Sequence, residues 1–397
     1  MKVHELPNAS HLRPQKLSGR ETPHVTIEPN TTCNIRCKFC YAIEQPIVKT
    51  LDEVKAEIDL ACSKRELDAI SLLGGEPTLH ADIVEIVRYI KGKGLICQLL
   101  TNGVRFLYHH DTELLDRLIE AGVDRILVHV DTGQTHVHGD IDEARHKLAS
   151  LLEARKVLFG MSITLYEGEE QDLPRILCEY ASYRYFDGVL ITLAMDFEHA
   201  FVAEQKRRLE PDIALVARAL QDEMNLLPAA YLPSNLDDDE VTWLMYFYWI
   251  NAETKQTFAL SPEINRAMKW LYRRTHAHEF FAETMNPDHK GPSLLASGVA
   301  ELLMQPSRAR ELGELLQQAG GIDKLRFHYA VIQQAPRMNA EHGKVQICWQ
   351  CPDAAVRNGR LTPVCIAGRV NPLFGEPTAP RDVVETVFAH LGEEPPE

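Results

Sequence analysis

Residues 33–40 read Cys-Asn-Ile-Arg-Cys-Lys-Phe-Cys and place three cysteines within eight positions. They follow the run His-Val-Thr-Ile-Glu at 24–28, whose β-branched residues are typical of a buried strand. Three thiolates in a loop after a strand are able to converge on one soft metal centre. Structural zinc sites and ordinary ferredoxin clusters use four ligands, so a set of three leaves one metal position open for a small molecule. A zinc site completed by a distant Cys or His is the alternative.

Around this stretch, short β-rich runs alternate with amphipathic helical patterns. We expect strands at 24–28, 69–73, 95–100, 125–131, 157–165 and 188–194. One helix should begin after Thr50, because Glu53 three residues on completes a capping box. Further helical patterns cover 81–92, 111–121, 141–155 and 172–182. The alternation predicts right-handed βαβ units and a parallel sheet of six units, closed into an open or partial barrel.

Polar and glycine-rich loops follow several of these strands. Gly74-Gly75-Glu76-Pro77 follows the second strand, Thr101-Asn102-Gly103 the third, and Asp131 ends the fourth. The sixth strand runs into Met195-Asp196. Folds of this kind place their chemistry in loops after the C-terminal ends of the strands. We therefore expect one site at that rim.

The three-cysteine spacing, followed by Gly-Gly-Glu-Pro after the next strand, resembles the radical S-adenosylmethionine (SAM) superfamily over residues 24–197. The resemblance implies an α/β fold, a partial (β/α)6 TIM-like barrel. It also implies an enzyme with a 4Fe–4S cluster whose open iron is chelated by SAM. One-electron reduction there cleaves SAM to methionine and a 5′-deoxyadenosyl radical, which removes a hydrogen atom from the substrate.

The resemblance also implies roles for individual residues. Cys33, Cys37 and Cys40 would ligate the cluster. The cofactor contacts it implies are Phe39 against the adenine, Gly74, Gly75, Glu76 and Pro77 at the methionine amino group, Asn102 and Asp131 at the ribose or carboxylate, and Thr164 and Met195 at the ends of the fifth and sixth strands.

A second cysteine group lies at Cys348, Cys351 and Cys365. Asn358-Gly359 between β-like runs predicts a hairpin that folds Cys365 back towards the other two. Zinc with His342 as fourth ligand is one interpretation. The spacing also resembles the auxiliary 4Fe–4S cluster of the molybdenum-cofactor cyclisation enzyme and related twitch or SPASM-like domains. Most of that relative's arginines are missing between the last two cysteines, so the resemblance implies the cluster but not its guanosine-triphosphate substrate.

Between the two groups the pattern changes. Long helical stretches are predicted at 200–226, 262–286 and 294–319, and the acidic run 237–240 is interpreted as a helix start. The aromatic cluster that follows, at 243–249, forms either a structural core or a substrate wall. The predicted organisation is an N-terminal extension at 1–23, the barrel at 24–197, a helical substrate-enclosing region at 198–340, an auxiliary-cluster domain at 341–380, and a C-terminal helix and tail at 381–397.

Composition limits the partners. The 397 residues carry 42 basic and 57 acidic side chains, a net charge of −15, which argues against a nucleic-acid surface. The nine cysteines do not form a secreted disulfide pattern, and no stretch is long enough to span a bilayer, so a cytoplasmic location is expected. We expect a small-molecule or lipid-like substrate and a flavodoxin or ferredoxin reductant. The alternatives are a maturase acting on a peptide or protein, and an iron–sulfur electron-transfer protein.

Overall fold

The computed structural model describes residues 1–37, 40–41, 46–195, 213–276, 300–321, 324–339 and 343–396. Six parallel strands in chain order form its centre: β1 (His24–Ile27), β2 (Ala69–Leu72), β3 (Ile96–Thr101), β4 (Arg125–His129), β5 (Leu158–Leu165) and β6 (Phe186–Leu193). Every residue of β1 and β2 is buried, as expected for strands covered on both faces. The prediction of an α/β fold built on a partial parallel barrel is confirmed, with strand bounds within about two residues.

Helices connect these strands and cover the sheet. They are α1 (Leu51–Lys64), α2 (Ile83–Gly92), α3 (Val104–Leu107), α4 (Thr112–Glu120), α5 (Thr135–His138), α6 (Ile141–Ala154) and α7 (Asp172–Tyr180). Thr50 caps α1 as predicted: its hydroxyl accepts from the Glu53 amide at 3.3 Å, and the Glu53 carboxylate accepts from the Thr50 amide at 2.7 Å. The buried faces of these helices and the strands form one continuous apolar core.

The sheet continues beyond both ends of this unit. At the β6 edge, β10 (Leu325–Gln333) pairs in parallel, and β8 (Val241–Asn251) and β7 (Ala230–Pro233) follow in antiparallel order. The short β9 (Thr257–Ala259) pairs with β8. At the β1 edge, β13 (Ala354–Arg357) pairs in parallel with β1, and β14 (Arg360–Pro363) turns back against it. The second cysteine group therefore lies beside the first strand of the sheet.

The remaining elements lie outside the main sheet. They are the hairpin of β11 (Arg337–Asn339) and β12 (Lys344–Gln346), and the helices α8 (Ile213–Met224), α9 (Pro262–His276), α10 (Ala309–Ala319), α11 (Ala367–Val370) and α12 (Arg381–Leu391). No helix within the described ranges has both the length and the apolar character needed to cross a membrane.

The description of residues 198–340 as helical needs correction. Helices α8, α9 and α10 lie there, but among the described residues so do the five strands β7 to β11. Residues 237–240 form a turn that leads into β8, so their interpretation as a helix start is wrong. All eleven residues of β8 are buried, because β10 pairs along one edge and β7 and β9 along the other, and alternate residues pack into two apolar clusters. A continuous run of aromatic and β-branched residues suits such a strand, and the structural-core interpretation of this cluster is confirmed.

Candidate active site

The loop that carries the first cysteines is held against the Gly-Gly-Glu-Pro loop by backbone hydrogen bonds. The Gly75 amide donates to Asn30 O at 2.9 Å, and the Glu76 amide donates to Thr32 O at 2.8 Å. Parallel neighbouring strands β1 and β2 end side by side, which brings these two loops together. The two hydrogen bonds hold the cysteine loop in place at the rim.

The two glycines are required by this contact. A Cβ atom on Gly74 would lie 2.3 Å from Asn30 O, and one on Gly75 would lie 2.1 Å from Thr32 O. Gly74 also has a φ of +134°, a backbone conformation that L side chains rarely adopt. Only glycine at both positions lets the two loops pack this closely.

Glu76 links the second loop to the third. Its buried carboxylate accepts from the Thr78 hydroxyl at 2.6 Å, the Thr101 hydroxyl at 2.8 Å and the Asn102 amide at 2.8 Å. Burial raises the pKa of the Glu76 carboxyl above its ordinary value, although these donors oppose the shift. The carboxylate is thus a structural link between loops, and Pro77 behind it is buried as the first residue of a short 3-10 turn.

Asn102 connects the third loop back to the cysteines. Its Nδ2 donates to Asn34 Oδ1 at 2.8 Å and lies 3.8 Å from the Sγ of Cys33. The Gln134 side chain makes the corresponding contact to the second cysteine, with Nε2 3.4 Å from the Sγ of Cys37. Gln134 was not singled out from the sequence, since it lies in a short turn with no motif of its own.

The thiols of this group are in an environment that disfavours their charged form. Burial raises the pKa of Cys33, and burial together with the nearby Asp131 carboxylate and the Cys40 thiol raises the pKa of Cys37 to about 12. A bound metal reverses this preference, because coordination deprotonates a thiol outright. Thiols whose charged form is disfavoured by burial suit a metal centre better than a nucleophile.

Asp131 contacts residues at the ends of β4 and β5. It is buried, and its carboxylate accepts from the Gly133 amide at 2.9 Å and the Thr164 amide at 3.2 Å. The imidazole Nε2 of His129 lies 3.5 Å from the same carboxylate. The carboxylate therefore holds Thr164 and His129 in place at the rim.

These loops surround one cavity of about 180 Å³, more than ten times the roughly 10–15 Å³ that a single water needs on this measure. The residues singled out from the sequence that line it are Cys33, Cys37, Cys40, Gly74, Gly75, Glu76, Asn102, Thr164, Met195 and Cys365. Pro77, Asp131, Cys348 and Cys351 do not line it, and Phe39 lies outside the described residues. Sequence reasoning missed His129, Thr192, Gln333 and Asp353, which line it but carry no local motif.

The second cysteine group lies behind the wall of the same cavity. Burial raises the pKa of Cys348 to about 12, and burial and the neighbouring thiols raise that of Cys351 well above its ordinary value. The Cys365 pKa is raised in the same way, so the three thiols lie close enough to influence one another. The indole Nε1 of Trp243 on β8 is 3.0 Å from the Sγ of Cys348. Of the second group, only Cys365 lines the cavity, which the three cysteines of the first group also line.

A buried arginine holds the turn of the second group. The Arg65 guanidinium donates to the carbonyl oxygens of Gln350 at 2.9 Å, Cys351 at 3.1 Å and His24 at 2.8 Å. Cys351 has a φ of +23°, so these bonds support a turn that the residues alone would not favour. Helix α1 of the barrel thereby fixes the position of the second cysteine group.

The two thiol sets differ from a mononuclear metal site. Within the described ranges no three His, Cys, Asp or Glu side chains are arranged to hold one metal ion, and His342 lies outside those ranges. A four-iron cluster does not need such convergence, since its thiolates bind different irons, whereas zinc needs all its ligands at one ion. Three thiols around an open cavity, with amide donors next to two of the sulfurs, fit a cluster with one open iron.

Comparison with known proteins supports this assignment. Residues 27–165 match the radical SAM superfamily. A probable GTP 3′,8-cyclase of Thermococcus kodakarensis is 28% identical over 222 residues, or 48% of this chain and 70% of that protein. The pre-heme d1 synthase of Dinoroseobacter shibae is 26% identical over 267 residues, or 61% of this chain and 62% of that protein. Other GTP 3′,8-cyclases are matched over about a third of their length.

Among solved structures, the crystal structure of Streptococcus suis SuiB bound to S-adenosylmethionine aligns with a TM-score of 0.42 and 15% identity, over 51% of this chain and 47% of that one. The match over residues 27–165 spans the first cysteine group, the Gly-Gly-Glu-Pro loop and the ends of β3, β4 and β5 at the cavity. This chain carries a radical SAM domain over residues 27–165, and the cofactors of that superfamily are a 4Fe–4S cluster and SAM.

Proposed function

We propose that this protein reductively cleaves SAM at a 4Fe–4S cluster held by Cys33, Cys37 and Cys40, and that a substrate bound in the same cavity loses a hydrogen atom. When bound, the cluster and SAM supply the electron and the 5′-deoxyadenosyl radical for that reaction. The observation that carries the proposal is the shared cavity, which the three thiols, the glycine pair and the ends of β3, β5 and β6 all line.

The chain's own residues have separate tasks in this proposal. Gly74 and Gly75 leave backbone exposed to the methionine end of SAM, and Asn102, Thr164 and Met195 border the space for the rest of it. Phe39 is retained as the adenine contact from the motif alone. Asp131 acts by orienting Thr164 and His129, because its carboxylate contacts both and Asp131 itself does not line the cavity.

We propose that Cys348, Cys351 and Cys365 hold a second 4Fe–4S cluster that binds substrate or transfers electrons. Cys348 and Cys365 both raise the pKa of Cys351, which supports a common centre, and among the described residues no three ligands are arranged around a single ion. The Arg65 and Trp243 contacts hold the two buried cysteines in place. Cys365 would give this centre access to the cavity.

A small or lipid-like substrate suits the cavity better than a protein does. Apolar side chains of the strand ends, including Leu73, Leu100 and Leu190, line it beside the polar rim. Such a mixture of apolar wall and few polar groups is typical of small-molecule sites. The two relatives named above carry the names of enzymes for small molecules, a GTP cyclase and a haem d1 synthase. A maturase for a peptide or protein is the second candidate.

The reductant is expected to be a flavodoxin or ferredoxin in the cytoplasm. These proteins are usually acidic, so docking on a chain with a net charge of −15 needs a local basic patch. Two basic patches are candidates: Arg13, Lys16 and Arg20 near the N-terminus, and residues 206–208. The first is largely neutralised, because Lys16 pairs with Asp238 at 2.6 Å and Arg20 pairs with Glu66 at 3.1 Å. The other candidate, residues 206–208, lies outside the described residues.

The test is the formation of 5′-deoxyadenosine after anaerobic reconstitution with iron and sulfide and reduction by dithionite in the presence of SAM. The wild-type protein should form it, and Cys37→Ala should not. Cys62→Ala is the matched control, because Cys62 lies on α1 and does not line the cavity. A wild-type protein that holds about four irons or more and forms no 5′-deoxyadenosine would overturn the proposal.

A further inference from the structure

Asp353 occupies the part of the cavity wall between the two cysteine groups. It follows Cys351 by two residues, and it lines the cavity together with Cys40 and Cys365. Its side chain is 15% exposed, so part of it is accessible from the cavity. No motif in the sequence draws attention to this residue.

Two side chains hold the Asp353 carboxylate in a fixed orientation. Gln333 at the end of β10 donates from Nε2 to Asp353 Oδ2 at 2.8 Å. The Gln333 amide is itself fixed, because its Oε1 accepts from the Thr192 hydroxyl at 3.2 Å. On the other side, the Nδ1 of His24 lies 3.2 Å from Asp353 Oδ1. The carboxylate is therefore held by two residues from different strands, Gln333 on β10 and His24 on β1.

His24 is held at both ring nitrogens. Its Nε2 lies 2.8 Å from Ser71 Oγ, which also accepts from Gln98 Nε2 at 3.3 Å. Its Nδ1 faces two oxygen acceptors, Pro352 O at 3.1 Å and the Asp353 carboxylate, so this nitrogen carries a proton. His24 therefore donates towards the Asp353 carboxylate and orients it.

Among the residues that the structure describes, the arginines near Asp353 are paired with other groups. None of the described residues lining the cavity is a lysine or an arginine. Arg357 next to the second group is buried and paired with Glu28 at 2.7 Å. Arg65 donates to backbone carbonyl oxygens of the cysteine turn. A ligand group that contacts Asp353 therefore meets a negative charge in a partly buried part of the cavity wall. This charge repels a phosphate and attracts a cation.

We propose that Asp353 binds a protonated amine of the substrate, and that Gln333 and His24 position its carboxylate for this contact. This inference rests on the proposed function for the identity of the cavity as the reaction site. It assigns a substrate class: an organic molecule with a cationic nitrogen, held between the two cysteine groups. The phosphates of a nucleoside triphosphate would be repelled by the Asp353 carboxylate.

The test is equilibrium dialysis of the anaerobically reconstituted protein, with SAM present, against three probes with one common body: 2-phenylethylamine, 2-phenylethanol and 2-phenylethyl phosphate. The amine should bind about tenfold more tightly than the other two, because a charge-assisted hydrogen bond is worth about that factor. Asp353→Asn should remove the preference. Gln333→Leu keeps the carboxylate but releases it, and should reduce the preference about threefold. Glu113→Gln, which removes an exposed carboxylate from α4, should keep it.

Circular dichroism and iron content of each variant show whether it is folded and loaded. The proposal is overturned if the wild-type protein shows no preference for the amine, binds none of the probes, or prefers the phosphate. It is also overturned if Asp353→Asn, folded and loaded, keeps the amine preference. Formation of 5′-deoxyadenosine in the same samples separates this failure from failure of the proposed function, since SAM cleavage does not require Asp353.

Discussion

At the scale of single residues, the rim depends on two positions where a side chain has no room. Gly74 and Gly75 let the second loop pack directly on the backbone of the cysteine loop. Because neither glycine has a side chain, the cysteine loop packs close to this loop, and the first cysteine group is held in position. Arg65 has the same kind of role at the second group, where it satisfies the carbonyl oxygens of a strained turn.

Gly75→Ala tests the first of these contacts. The added Cβ would lie 2.1 Å from Thr32 O, so the two loops must separate. We expect the free energy of unfolding to fall by about 1–3 kcal/mol and 5′-deoxyadenosine formation to be lost. Gly313→Ala on α10 is the control, because nothing lies within 4 Å of its added Cβ. Urea unfolding and product assays measure both effects, and a fully active, equally stable Gly75→Ala would refute the packing argument.

Arg65→Met tests the second contact. Removal of the guanidinium leaves several buried carbonyl oxygens without donors, so we expect a loss of about 3 kcal/mol in the free energy of unfolding. Iron content after reconstitution should fall from about eight to about four per chain, as only the second group is disturbed. Arg88→Met on α2, which is half exposed, should change stability by less than about 0.5 kcal/mol. Normal iron content in Arg65→Met would contradict the positioning role.

At the scale of elements, the hairpin of β13 and β14 carries the second group to the barrel. Its turn residues Asn358 and Gly359 have φ values of +47° and +75°, the two-residue turn that the Asn-Gly pair predicts. Pairing of β13 with β1 then places Cys365 at the cavity. The hairpin is thus the element that unites two sites that lie more than three hundred residues apart in sequence.

Gly359→Val tests this element. A β-branched residue is strained at a φ of +75°, so the hairpin should lose about 1–3 kcal/mol and Cys365 should be displaced. Iron bound by the second group should fall while 5′-deoxyadenosine formation without substrate persists. Gly94→Val, at a φ of +77° between α2 and β3, imposes comparable strain away from both groups. If both variants lose the same iron, the effect is general instability and not displacement of Cys365.

The elements also show how far the sequence predicts this fold. The capping box at Thr50, the six parallel strands and the Asn-Gly hairpin follow from local patterns, and the structure has them. Strand β8 was not predicted, because a continuous apolar run such as 241–250 has the same pattern in a buried strand and a buried helix. Asp353 and Gln333 were not found, because their contact joins residues of different elements and leaves no spacing to detect.

At the scale of the whole molecule, one sheet carries both cysteine groups. The barrel strands hold the first group at their C-terminal ends, the added β13–β14 hairpin brings the second group to the β1 edge, and the added β10 brings Gln333 from the opposite edge. The cavity lies where these contributions meet. We therefore propose, as the central claim, that two iron–sulfur centres, each held by three cysteines, share a single reaction cavity.

Iron and zinc content per chain after anaerobic reconstitution tests this claim most directly, measured for the wild-type protein and for Cys348→Ala, Cys351→Ala, Cys365→Ala combined. The account predicts about eight irons in the wild-type protein, about four in the triple variant, and no stoichiometric zinc in either. Four irons and one zinc in the wild-type protein, with the zinc lost in the variant, would contradict it.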